Sequence, residues 1–205
     1  MKKNEILTTF FALTIIASLF SSCSKTPSTP YEKYVAEVEA YRAHKDSLMQ
    51  FAQNSPFNFK EKVEFHPLKY YDVDTNFVFK SKLYLYPEQD TITVYGTKGE
   101  ARKAIKFGYL KVKDEKLNVY KNLGRDGEIY YGIWFTDETT NETTYGVGRY
   151  LDFEYNENPD FVYAIDFNYA YNPYCAYSSA YSCAIPTKED HLNMKIEAGE
   201  KKFHD

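Results

Sequence analysis

Apolar positions recur at two different spacings along this chain, and the change falls near Leu68. Before it, Tyr31, Tyr34, Val35, Val38, Tyr41 and Leu48 follow one another at steps of three, four and seven, the spacing that lines one face of a helix. Glu37, Glu39, Arg42, Lys45 and Asp46 fall off that face. The start of the segment carries its own signals. Thr29 can cap, Pro30 suits the first helical position, and Glu32 stands where a capping box needs an acid. The pattern predicts a helix from about Pro30 to Ala52. Asn54-Ser55-Pro56 ends it, because a residue before proline is pushed out of the α region. Residues 58–65 leave room for one more helical turn, broken by His66-Pro67.

From Leu68 the period becomes two. Phe77, Phe79, Leu83 and Leu85 alternate with Val78, Lys80, Tyr84 and Tyr86, and Thr91 to Tyr95 is rich in β-branched residues. Further strands are predicted over 103–112, 116–120, 129–135, 148–155, 161–167 and 192–198, with Gly, Asn or Asp in the gaps. About nine short strands with no helices between them indicate an antiparallel β-sandwich or open barrel with one N-terminal helix packed on it. No internal repeat and no second domain boundary is visible. The 21 tyrosines and 15 phenylalanines fit half-buried sheet surfaces. The alternative is a sugar-stacking face, for which Trp134 is the sole indole.

The N-terminus changes the picture. Lys2 and Lys3 precede an apolar run from Ile6 to Phe20, too short to span a bilayer, and small residues at Ser21 and Ser22 lead to Cys23. This is the layout of a signal peptide over residues 1–22. Leu19 to Cys23 resembles a bacterial lipobox, so residues 23–30 read as a lipidated, Pro-rich tether and residues 31–205 as the folded domain. A bacterial envelope location follows, with the chain held on its membrane by the lipid at Cys23. Ser24 after the cysteine fits the periplasmic face of the outer membrane. The formal charge of −4, made more negative by removing that leader, argues against a nucleic-acid backbone as partner.

Candidate chemistry concentrates in residues 166–186. Cys175 and Cys183 flank seven residues there. In an exported protein the simplest expectation is a disulfide. A free nucleophilic cysteine with His191 as its base is the catalytic alternative, and a zinc site is disfavoured by the long Cys spacing and the scattered His44, His66, His191 and His204. Nothing calls for a cofactor or a metal. Asp166, Asn168 and Asn172 either brace the loop backbone or hold a polar ligand. Arg149 is a structural partner of Asp166 or, left unpaired beside a cavity, an anion clamp. With Tyr171, Tyr177 and Glu189 these are the ligand-binding candidates. Asp152, Glu189 and Glu200 stand beside Asp166 as possible carboxylates for acid–base work. A binding or scaffolding module for a small polar ligand or an envelope protein is therefore the first expectation, and a hydrolase-like enzyme using carboxylates or a free cysteine in the same region is the second.

Three strings in order, Thr144-Tyr145-Gly146-Val147-Gly148-Arg149-Tyr150-Leu151, Asp166-Phe167-Asn168 through Asn172-Pro173-x-Cys175-Ala176-Tyr177, and Ile196-x-Ala198-Gly199-Glu200-Lys201, resemble the family called domain of unknown function 1684. The resemblance extends over about Tyr31 to Lys202 and implies a mainly β domain, with no activity attached. The chain departs from the family pattern after Cys183. Ala184 and Thr187 stand where proline is commoner, and Asp190 and His191 where Asn and Arg are. A turn that needed a permanent positive charge would lack it at His191 at neutral pH.

Overall fold

The computed structural model describes residues 27–124 and 127–204. The signal peptide and the lipidation expected at Cys23 lie outside the described residues.

Helix α1 spans Pro30–Phe51 and opens with the capping box. Thr29 Oγ1 accepts the Glu32 amide at 3.1 Å, and the Glu32 carboxylate accepts the amides of Thr29 and Ser28 at 3.0 and 2.7 Å. Its buried face differs from the one the apolar spacing predicts. Val38, Arg42 and Met49 are buried, while Tyr31 and Leu48 are about half exposed. Arg42 earns its place by bonding the Tyr71 and Asn168 carbonyls, at 2.9 and 3.4 Å, with its guanidinium 4.6 Å from the Tyr70 ring centre. Hydropathy cannot foresee a cation that is buried because backbone acceptors await it. Residues 53–65 form turns rather than another helical turn, with Asn58 Nδ2 donating to the carbonyls of Gln50 and Ala52.

Nine strands follow: β1 (Val78–Lys82), β2 (Tyr84–Leu85), β3 (Thr91–Tyr95), β4 (Ala101–Val112), β5 (Glu115–Leu123), β6 (Ile129–Asp137), β7 (Arg149–Asp152), β8 (Val162–Asp166) and β9 (His191–Leu192). The main sheet runs β2-β4-β5-β6-β7, with β3 also on β4, and all these pairs are antiparallel. Short β9 lies parallel to β6. Strands β1 and β8 form a separate antiparallel ribbon. Ser81 Oγ on β1 accepts the Lys111 amide of β4 at 2.9 Å, which stitches the ribbon to the main sheet at that side. The ribbon contributes Tyr163 and Ile165 to the core, with Phe167 just beyond it. These meet Leu110, Val119, Ile133, Phe135 and Leu151 of the sheet. The result is an open barrel, ordered β7-β6-β5-β4 and then β1-β8. Its seam lies between β7 and β8, which no strand pairing closes.

Two expected strands are shorter than the alternation suggests. The predicted strand 148–155 pairs only over Arg149–Asp152. The predicted strand 192–198 reduces to His191–Leu192, although Leu192, Ile196 and Ala198 are all fully buried. The apolar pattern reported burial correctly, but the Ile196 and Ala198 carbonyls are taken by a side chain, Arg149, and those of Leu192 and Met194 by the amides of Met194 and Glu138.

Candidate functional site

Arg149 begins β7 opposite Phe135 of β6, two positions before the end of that strand at Asp137, and this register sets its guanidinium beside Asp137. Its side chain is 1% exposed. One terminal nitrogen donates to Asp137 Oδ2 and the Ile196 carbonyl, both at 2.9 Å, and the other to the carbonyls of Ala198 and Glu200. Burial pushes its pKa down and the Asp137 carboxylate pushes back. The partner expected in Asp166 is thus Asp137, and Arg149 lines none of the concavities described below. Arg149 holds the C-terminal segment in place and is not a ligand clamp.

Most other candidates brace the fold. Asp166 accepts Tyr34 Oη at 2.7 Å and both the amide and the side-chain nitrogen of Asn168 at 2.9 Å. Asn168, buried, also bonds the amide and carbonyl of Asp74 at 3.0 and 2.9 Å. Asn172 donates its amide to Glu200 Oε2 and its side-chain nitrogen to the Lys201 carbonyl, both at 2.8 Å. Tyr177 is buried with its hydroxyl 2.5 Å from Glu200 Oε2. Burial, and then Glu200, hold that phenol well above the usual range. The other Glu200 oxygen lies 2.5 Å from Lys45 Nζ, an ion pair without the direction of a hydrogen bond. Glu189 is exposed and pairs with Lys106 on the far side of β4 and β5. Its neighbour Asp190 is the buried member, accepting Asn118 Nδ2 at 2.9 Å and Tyr120 Oη at 2.7 Å.

The disulfide expected between Cys175 and Cys183 is not formed, and both are free thiols. They are neighbours all the same. The Cys175 amide donates to Cys183 Sγ at 3.2 Å, and Tyr145 Oη lies 3.7 Å from Cys175 Sγ. The loop is held without a cross-link. Thr97 and Cys183 exchange backbone and side-chain bonds, and Ser182 Oγ donates to Glu100 at 2.8 Å while Arg102 bonds the Ser182 carbonyl at the same distance. Donors from Cys183 and Tyr145 hold the Cys175 thiol below its usual range, and the proton left on Cys183 is held correspondingly tightly. His191 Nδ1 lies 3.0 Å from Thr136 Oγ1, and among the described residues neither thiol makes a hydrogen bond to the His191 ring. Among the described residues no three His, Cys, Asp or Glu side chains gather as a metal site requires.

One candidate opens onto space. Tyr171 is bridged to Tyr150 by two backbone bonds, and its hydroxyl donates to Asp152 Oδ1 at 2.8 Å. Asp152 closes β7 and faces three adjoining concavities of about 530, 500 and 380 Å3. The first is the barrel seam, which Asp166 also borders, with Tyr41 and Tyr169 at its helix end. In the second, Tyr41, Lys45 and Leu48 of α1 face Tyr171 and Tyr174. The third runs from Arg102 and Tyr150 to Tyr174 and the Tyr181–Ala184 segment of the loop. Asp152 Oδ2 has no hydrogen-bond partner among the described residues. Lys45 Nζ sits 4.6 Å from the centre of the Tyr171 ring, between the groove and buried Glu200. Burial and the charges of Asp152 and Glu200 push the Tyr41 phenol up to about 12, so it stays a neutral donor. Sequence reasoning named Asp152 only as one carboxylate among several. Tyr41 was legible as a helix-face residue, but nothing local ties it to a carboxylate 111 positions away.

The fold and groove define a helix-flanked open β-barrel with an aromatic cleft along its seam. The chain belongs to the family described as protein of unknown function DUF1684, whose model matches residues 63–201. Helix α1, which supplies Tyr41 and Lys45, precedes that match. No curated protein matches the chain. Among solved structures, an uncharacterized protein from Haloarcula marismortui, determined by NMR in solution, is 22% identical. It aligns over 85% of this chain and 97% of its own, with a TM-score of 0.58, which is a likeness of fold.

Proposed function

We propose that this chain is a binding module of the bacterial cell envelope, anchored by a lipid on Cys23 at the periplasmic face of the outer membrane, and that it takes a small polar ligand in the groove around Asp152. The observation that carries this reading is the meeting of three concavities at one carboxylate, Asp152, of which one oxygen has no donor among the described residues. Concave, largely apolar walls with a few converging polar groups are the usual form of a small-molecule site. The wall from Tyr171 to Ala184 belongs to the 166–186 loop, while α1 and β7 supply the rest. A hydrolase-like use of the region has less behind it. Asp166 and Glu200 spend their oxygens on fixed donors or on Lys45, and among the described residues neither thiol bonds the His191 ring.

A screen of polar small molecules by two-dimensional amide NMR tests the groove. Shifts should cluster on Tyr41, Asp152, Tyr171 and Tyr174, whereas hits confined to the far face around Lys106 and Glu189 would overturn the assignment. Metabolic labelling with palmitate tests the anchor: label should enter the wild-type chain and be lost in Cys23→Ala.

A further inference from the structure

The barrel seam differs from the two neighbouring concavities in its charge. Its lining contains Asp152, Glu154 and Asp166 and no Lys, Arg or His. Asp166 is saturated by Tyr34 and Asn168. Asp152 keeps one oxygen open, and Glu154, on the extended chain that continues β7, is exposed with no partner among the described residues. Some carboxylates elsewhere are answered by the protein's own cations, in Lys82–Asp160, Arg102–Glu100 and Lys106–Glu189. No cation lines the seam, so Asp152 and Glu154 stand at the cavity without one.

The same wall is aromatic, and aromatic rings in this protein do receive cations. Six lysines sit over tyrosine rings in this molecule, Lys45 on Tyr171, Lys60 on Tyr181, Lys106 on Tyr86, Lys111 on Tyr84, Lys116 on Tyr109 and Lys201 on Tyr71. The seam rings Tyr41, Tyr155 and Tyr169 carry no such cation. Tyr41 and Tyr169 meet edge to face with centroids 4.9 Å apart. Neutral phenol rings flanked by carboxylates attract an ammonium group strongly once water is excluded. Below them the floor is apolar, with Ile133, Leu151 and Ile165.

Resting on the binding-module reading, we infer that the seam between β7 and β8 is a site for a small organic cation, an amine or quaternary ammonium carried on a short apolar body. The ammonium lies between Asp152, Glu154 and the tyrosine rings, and the apolar part reaches toward the floor. A free amine and the ethanolamine headgroup of a lipid share this chemistry.

The test titrates purified protein with choline and with dimethylbutanol, its uncharged carbon isostere, and follows amide shifts. Choline should move Tyr41, Asp152, Tyr155 and Tyr169 saturably, with the isostere at least about tenfold weaker. Glu154→Gln and Asp152→Asn should each weaken choline by about tenfold and leave the isostere unchanged. Tyr155→Leu should weaken choline while an unaltered amide spectrum elsewhere certifies the fold. Bicelles containing phosphatidylethanolamine, set against phosphatidylglycerol, separate the lipid source from the free amine, and a response to either amine supports the inference. Equal binding of choline and its isostere would overturn the cation inference and leave the binding-module reading standing. So would seam shifts from neither amine source when the wider screen still finds ligands in the groove. Failure of that screen as well would remove the module reading itself.

Discussion

Arg149 and Asp152 stand at opposite ends of one four-residue strand, and they meet opposite fates. The arginine is buried, and both its terminal nitrogens bond a carboxylate or carbonyls of the C-terminal segment. The aspartate is exposed, bonded through one oxygen to Tyr171, and faces open space with the other. Charge type alone would have ranked them equally as binding residues. What separates them is whether the fold has already supplied their partners. A buried charge whose terminal groups the fold holds, as it holds those of Arg149 although its Nε has no partner, is part of the scaffold, since withdrawing those bonds would leave it buried and unpaired. A charge with unspent bonding capacity beside a cavity is available to a ligand. The same distinction divides Glu200, locked by Asn172, Tyr177 and Lys45, from Glu154, which has nothing to lose by accepting a new partner.

Substitutions at the two ends of β7 should therefore behave differently. Arg149→Ala strands Asp137 and frees three carbonyls inside the protein, and urea unfolding should report a loss of about 3–5 kcal/mol. A loss under about 1 kcal/mol would mean the node is not structural. Tyr177→Phe removes one of the two hydrogen bonds to Glu200 Oε2 and should cost about 1–3 kcal/mol by the same measurement. Asp152→Asn keeps an acceptor for Tyr171 and should move stability by no more than about 0.5 kcal/mol, its effect appearing in binding instead. A large destabilisation there would erase the contrast. The smallest effect concerns pH at the loop wall. Bonds from Ser182 and the Glu100 backbone, with Arg102 adding to them, hold the exposed Glu100 carboxyl down from 4.5 to about 2. Because the folded-state pKa is depressed, its stabilisation is complete above pH 4.5 and lost as the pH falls through about 2. The Ser182 amide shift should accordingly hold steady from neutral pH to 4.5 and change only near 2. A midpoint near 4.5 would detach Glu100 from the loop.

How far these features can be read without coordinates depends on the range over which each is decided. Helix α1 was legible because Thr29, Pro30 and Glu32 act on amides within one turn. Strand β3 was read correctly from Thr91 to Tyr95, and Lys113 takes a left-handed φ of 54° in the turn expected between β4 and β5. The buried face of α1 was misread at Arg42, whose acceptors are 29 and 126 residues away. The strand expected over 192–198 was misread because past Met194 the Ile196 and Ala198 carbonyls turn to Arg149 and not to a neighbouring strand. The Cys175 and Cys183 thiols were correctly seen as close, but closeness in sequence did not decide whether they were bonded.

Periodicity, capping chemistry and turn residues act between near neighbours, so the order of the elements, the mainly β class and the crowding of special residues into 166–186 belong to the sequence alone. Which of those residues are spent and which are free was decided only by the tertiary structure. Hydrogen bonds are short and directional: Asn168 satisfies one oxygen of Asp166 from nearby in the chain, but the donor for the other, Tyr34, comes from α1, and the one that satisfies Glu200 through Tyr177 comes from within the loop. The seam with its unanswered carboxylates exists because β7 and β8 fail to pair, a fact about two strands in space that neither strand records.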